Sequence, residues 1–138
     1  MENLDSIDKK YNNFLKVYQG LRNSLTIVKK QDVIESNLKE VVLSGTIKQF
    51  ELTYETAWKF LKEYLHQMYG PVVTSPRAVF RTCYEYKILS EKVTEGLLDL
   101  VDERNLTVHV YDIATAERIC NTIENYFFVF EEIAKIKK

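Results

Sequence analysis

The stretch Ile47–Gly70, "IKQFELTYETAWKFLKEYLHQMYG", decides the fold class. Its apolar residues Ile47, Phe50, Tyr54, Ala57, Trp58, Leu61, Leu65 and Met68 recur at steps of three and four. That is the period of one helix face, not the alternation of a strand. Gly70-Pro71 stops the pattern. Tyr54 and Trp58 fall on the apolar face and are expected in the core, whereas Tyr64 and Tyr69 are expected outside it.

The same period extends in both directions. Ile7, Tyr11, Phe14, Leu15, Tyr18, Leu21, Leu25 and Val28 predict a helix over about residues 5–29. Val33 to Leu43 forms a second stretch that reaches Ser44-Gly45, where the pattern allows either a break or a kink. Ser75 followed by Pro76 is a natural helix start, with Val79, Phe80, Cys83 and Ile88 on the buried face. Thr94 with Glu95 opens the next helix through Leu97, Leu98, Leu100 and Val101. The last, over about 115–136, carries Ile119, Ile123, Tyr126, Phe127, Phe130 and Ile133. Short links between long helices predict an all-α, antiparallel up-and-down bundle of four to five helices, in one domain across residues 1–138.

The composition agrees. Of 138 residues, 46% are hydrophobic and 28% charged, with only four Gly and two Pro, which suits long elements with few turns. A net charge of −1 gives no global field to attract nucleic acid or an anionic membrane. Residues 1–30 hold six Lys/Arg against three Asp/Glu, while residues 91–104 hold two against five, so the helix leading to the motif below is acidic. Cys83 and Cys120 stand apart without a Cys-x-x-Cys pair and are expected as buried thiols. His66 has no second ligand at metal spacing, so no metal or cofactor is expected. A polar N-terminus and the lack of a long apolar run predict a cytoplasmic protein with no membrane span.

One stretch breaks the pattern. In "VDERNLTVHVYD", Val101–Asp112, the apolar stripe of Leu97, Leu100 and Val101 continues through Arg104 to Val108 and Tyr111. A buried, unpaired guanidinium costs several kcal/mol, so Arg104 must be paired, snorkel out or line a cleft. His109 lies about 140° away around an ideal helix, on a polar face with Asp102, Asn105 and Asp112. "NLTVHV" is poor in helix formers, and unwinding between Asn105 and Val108 could bring Arg104 and His109 together. The plainer reading pairs Arg104 with Asp102 or Glu103 and leaves His109 as a surface residue.

"RNLTVHVYD" resembles the R-N-x3-H motif of the HEPN superfamily, all-α proteins that include ribonucleases. With Tyr111 it is similar to the R-x4-H-x-Y form of the nucleotidyltransferase substrate-binding protein branch. "IKQFELTYETAWKFLKEYL", "SPRAVFRTCYEYKIL" and "YDIATAERICNTIENYFFVFEEI" resemble further blocks of that branch, in the same order, over about residues 10–134. The chain departs from the family's small polar flanks around the histidine, where it has Val108 and Val110.

The resemblance implies roles. Arg104 and His109 would cleave RNA without a metal, Asn105 would be the polar residue after the arginine, and Asp102 and Asp112 would support them. Tyr111 would be the residue that a cognate small nucleotidyltransferase adenylylates. One motif supplies one histidine, so acid and base would come from a homodimer with its motifs face to face, in a hetero-oligomer with the partner. The alternative is a non-catalytic substrate-binding or scaffold protein that serves the same nucleotidyltransferase. A helical interaction module unconnected with nucleotides would leave the motif block unexplained.

Overall fold

A computed structural model of the chain describes residues 4–110 and 112–137. The described residues form helices α1 (Leu4–Val28), α2 (Gln31–Ile34), α3 (Lys39–Tyr69), α4 (Pro76–Glu85), α5 (Glu91–Leu106), α6 (Ile113–Tyr126) and α7 (Phe128–Ala134). A short 3-10 turn, Thr107–His109, follows α5.

The stretch that decides the fold is the second half of α3. Ser44-Gly45 neither ends nor divides it. Gly45 faces open space, and the Thr46 hydroxyl donates to the Val42 carbonyl, so the helix runs through. The Gly70 amide closes the end on the Leu65 and His66 carbonyls, with φ at 110°, a backbone setting that glycine adopts without strain.

Four helical rods make an up-and-down bundle. α1 and α3 run antiparallel: Tyr11 packs on Phe60, and Thr53 donates to the Val17 carbonyl. α6 and α7 form one rod interrupted at Phe127, antiparallel to α1, with Lys29 beside Glu124 and the Tyr11 hydroxyl donating to the Ala134 carbonyl at 2.6 Å. α5 runs antiparallel to that rod, with Tyr126 donating to Asp99 and Arg118 to Glu103. Residues 70–75 lead back along α3, so α4 starts beside Tyr54 and ends beside Tyr69 as the fifth helix.

The core is aromatic at its centre. Phe14, Phe50, Phe60 and Phe130 are fully buried and pack ring to ring across α1, α3 and α7. Burying each such side chain stabilises by about 1.5–3 kcal/mol. Tyr54 is buried as expected, and Trp58 lies at the margin, donating to Glu55. Cys83 and Cys120 are buried thiols, and burial pushes both up to about 12, with Glu117 adding to the effect at Cys120.

The helix starts expected at Ser75 and Thr94 differ in outcome. Ser75 caps α4 by accepting from the Ala78 amide, with Pro76 just inside. α5 begins at Glu91, earlier than Thr94. Ser90 is its cap, accepting from the Val93 amide, and the Thr94 hydroxyl donates back to the Ser90 carbonyl. No helix among the described residues is long and apolar enough to cross a membrane.

Candidate functional site

Leu97 and Leu100 are fully buried, and Arg104 follows them on the same face of α5. The stripe does not continue to Val108, which is 63% exposed. After Leu106 the chain tightens into the 3-10 turn, with fewer residues per turn than an α-helix, and this swings Val108 off the core. The run of Asn and β-branched residues does loosen the α-helix here, as its composition predicts.

Arg104 is held from α3. Its Nη1 stands 3.3 Å from Oε2 of Glu51 and donates to the Thr107 hydroxyl at 3.1 Å. That hydroxyl directs its single proton toward Glu51 Oε2, at 3.0 Å, and the Arg104 carbonyl oxygen, at 2.8 Å. The two charged side chains are 28% and 23% exposed, so the pair is sheltered rather than freely solvated. Nε of Arg104 is buried and makes no hydrogen bond to the described residues. Close by, burial and then Glu55 push the Tyr54 phenol up to about 12, against a downward pull from Arg104 and Arg77, so Tyr54 is a neutral wall.

The neighbouring acids are engaged elsewhere. Asp102 pairs with Arg77 on α4 at 3.2 Å, and the nearly buried Glu103 pairs with Arg118 on α6 at 3.3 Å. Pairing of Arg104 with Asp102 or Glu103 is therefore not observed. The partner is Glu51, which sequence reasoning missed because it lies on another helix. Its only signal was a carboxylate next to Phe50 at the margin of an apolar stripe.

Asp102, Asn105, His109 and Asp112 are all exposed, but they do not share one helix face, because α5 ends at Leu106, His109 lies in the 3-10 turn and Asp112 precedes α6. Asp112 is the N-cap of α6, accepting from the Thr115 amide at 2.6 Å. That bond holds its carboxyl below the usual carboxylate range. Arg104 therefore turns toward α3 while His109 faces solvent, and no hydrogen bond joins them within the chain. Tyr111 lies outside the described residues. His66 sits at the end of α3 against the Gly70 carbonyl, as a helix-end residue. Among the described residues, no three His, Cys, Asp or Glu side chains gather in a metal-holding group.

Residues 9–137, nearly the whole bundle, match the family described as nucleotidyltransferase substrate binding protein like. The chain belongs to this nucleotidyltransferase substrate binding protein-like family. The match takes in Arg104, Asn105, His109 and Tyr111 together with Glu51 and Thr107.

Two solved structures share the family member's fold. A Thermus thermophilus protein is 28% identical, with a TM-score of 0.77, over 91% of this chain and 99% of the other. A Shewanella oneidensis HEPN toxin, tri-AMPylated and in complex with an MNT antitoxin, is 13% identical, with a TM-score of 0.73, over 99% and 97% of the two chains. At that identity the likeness shows a shared fold. No curated protein matches the chain.

Proposed function

We propose that the chain is the partner subunit of a small nucleotidyltransferase in a toxin–antitoxin pair, and that its R-x4-H-x-Y motif is a metal-independent endoribonuclease site silenced by adenylylation of Tyr111. The observation that carries this reading is the setting of the motif. An arginine retained in an apolar stripe is held at one nitrogen by Glu51 and Thr107, and His109, five residues on, faces solvent.

The chemistry follows from those groups. The ribose 2′-hydroxyl attacks the neighbouring phosphorus, giving its proton to one imidazole. A second imidazole protonates the departing 5′-oxygen, leaving a 2′,3′-cyclic phosphate. Histidine titrates near neutral pH and can take either part. Arg104 remains charged and its fork fits phosphate oxygens, so it offsets charge on the phosphorane. Each chain supplies one motif histidine, and its exposure leaves it open to a two-fold copy, so the site is completed by a homodimer. Asn105 is exposed at the end of α5, Asp102 ties α5 to Arg77, and Asp112 fixes the start of α6 just past the motif.

Adenylylation joins the Tyr111 oxygen to the α-phosphorus of ATP and releases pyrophosphate, through the partner enzyme. The added AMP is bulky and anionic, so it crowds the motif and repels RNA phosphates. The AMP groups and antitoxin of the Shewanella oneidensis complex are in keeping with this reading.

Co-expression with the small nucleotidyltransferase, followed by intact mass measurement, tests the modification. The expected result is a gain of AMP units that disappears in Tyr111→Phe. No gain, or a gain that persists in that variant, contradicts it.

A second reading has its own support. Glu51 neutralises Arg104, and the 63% exposed Val108 dries the flank of His109. Both suit a non-catalytic scaffold that binds the nucleotidyltransferase. Growth arrest by the wild type alone, and not by His109→Ala, separates the nuclease from the scaffold.

A further inference from the structure

The guanidinium of Arg104 is used unevenly. Nη1 serves both Glu51 and Thr107, whereas Nε and Nη2 make no hydrogen bond to the described residues, although Nε is buried. A buried N–H without a partner costs about 1–3 kcal/mol, so its persistence calls for an acceptor. Nε–H and Nη2–H point the same way and form the edge of an arginine that grips two oxygens of one phosphate. The opposite corner, Nη1, is the one that Glu51 holds.

From this geometry we infer that Glu51 is the positioning residue of Arg104, which with Thr107 fixes Nη1 and reserves the Nε/Nη2 edge for a phosphodiester. The inference rests on the nuclease reading for its substrate, but the anion site itself does not depend on cleavage. Glu51 touches neither substrate nor reacting atoms. It acts through Arg104, and Thr107 is the bridge. The carboxylate also keeps the unliganded arginine from being an isolated, half-buried charge. It leaves one face for the ligand without competing for it.

A merely structural ion pair and a positioning one differ in what they change. Loss of orientation at Arg104 lowers kcat, because the charge it offsets develops in the transition state. Glu51→Ala is expected to lower kcat for RNA cleavage roughly 10- to 100-fold with a smaller change in KM. Glu51→Gln keeps an oxygen for Nη1 and for the Thr107 hydroxyl, and is expected to recover most of that loss. Thr107→Val, on the surface turn, removes the bridge and is expected to resemble Glu51→Ala even where the latter folds poorly.

The second readout is independent of activity. The Arg104 Nε–H signal in nuclear magnetic resonance is followed in the full-length protein while a 2′-deoxy dinucleotide, which cannot be cleaved by this route, is added. The signal is expected to shift in the wild type and Glu51→Gln, and to lose that shift in Glu51→Ala and Thr107→Val at equal ligand. If the wild type does not cleave RNA but this pattern appears, the positioning role stands without the nuclease. If cleavage occurs and Glu51→Ala and Thr107→Val match the wild type in both readouts, the nuclease stands and the positioning role is overturned.

Discussion

Glu51 on α3 stands 3.3 Å from Nη1 of Arg104 on α5, with the Thr107 hydroxyl between them. The contact joins the long helix that decides the fold to the turn that carries the motif, so stability and site geometry meet in one pair.

The pair is sheltered from water, and removing one partner leaves the other without its counter-charge. Arg104→Met is expected to destabilise the protein by about 1–2 kcal/mol in urea unfolding. Combined with Glu51→Gln, the loss should be smaller than the sum of the single losses, the signature of direct coupling. Strict additivity contradicts the contact.

Glycine substitutions test the packing around α5. A Cβ on Gly96 would come within 2.7 Å of Val129 Cγ1 and 3.3 Å of the Tyr126 ring, so Gly96→Ala should cost about 1–3 kcal/mol by overpacking. Gly45 faces open space inside a continuous helix, so Gly45→Ala should stabilise by about 0.5–1 kcal/mol. Thermal unfolding of the two variants gives shifts of opposite sign if α3 is unbroken and α5 lies close to α7.

Asp112 gives an acid dependence with a definite sign. The Thr115 amide lowers its folded pKa below the unfolded value, so the cap contributes stability above the ordinary carboxylate range. That contribution is lost as pH falls through the lowered value. Asp112→Asn keeps an oxygen acceptor that does not titrate. The melting-temperature advantage of the wild type over this variant should shrink between neutrality and about pH 3. An advantage that grows in acid contradicts the cap.

The thiols should be silent in the folded protein. Cys83 and Cys120 are 0% and 2% exposed, and both are pushed up to about 12. A thiol-specific chromogenic reagent at neutral pH should label neither until the protein unfolds. Rapid labelling under native conditions contradicts their burial.

Much of the bundle was legible because its signals are local. The three-four spacing of Phe50, Tyr54, Ala57 and Leu61 marks a face, and Ser75-Pro76 and Gly70 mark ends. A misreading arose where two local signals competed. Thr94 looked like a helix start, but Ser90 makes the cap and Thr94 bonds back to it. Ser44-Gly45 left a break and a kink equally open, and the helix runs through because Gly45 has a vacant face and Thr46 bridges back to Val42. The interruption at Phe127 carries no Gly or Pro, and its ring packs on Tyr18 and Phe130.

The site was legible in kind but not in arrangement. Arg104 in an apolar stripe could be noticed from spacing, and the need for a partner follows from charge burial. Which carboxylate answers that need depends on how α3 crosses α5, a tertiary fact that the local sequence marks only by a carboxylate beside Phe50. Asp102 and Glu103 were nearer in the chain but are claimed by Arg77 and Arg118.

The most direct test of the nuclease reading uses the purified full-length chain, made without a nucleotidyltransferase and assayed on end-labelled RNA with a metal chelator present. Cleavage by the wild type, leaving 2′,3′-cyclic phosphate ends, with loss of at least a hundredfold in His109→Ala (on the order of the share general acid–base catalysis supplies), is the predicted result. Intact RNA with the wild type, or equal cleavage by His109→Ala, contradicts it.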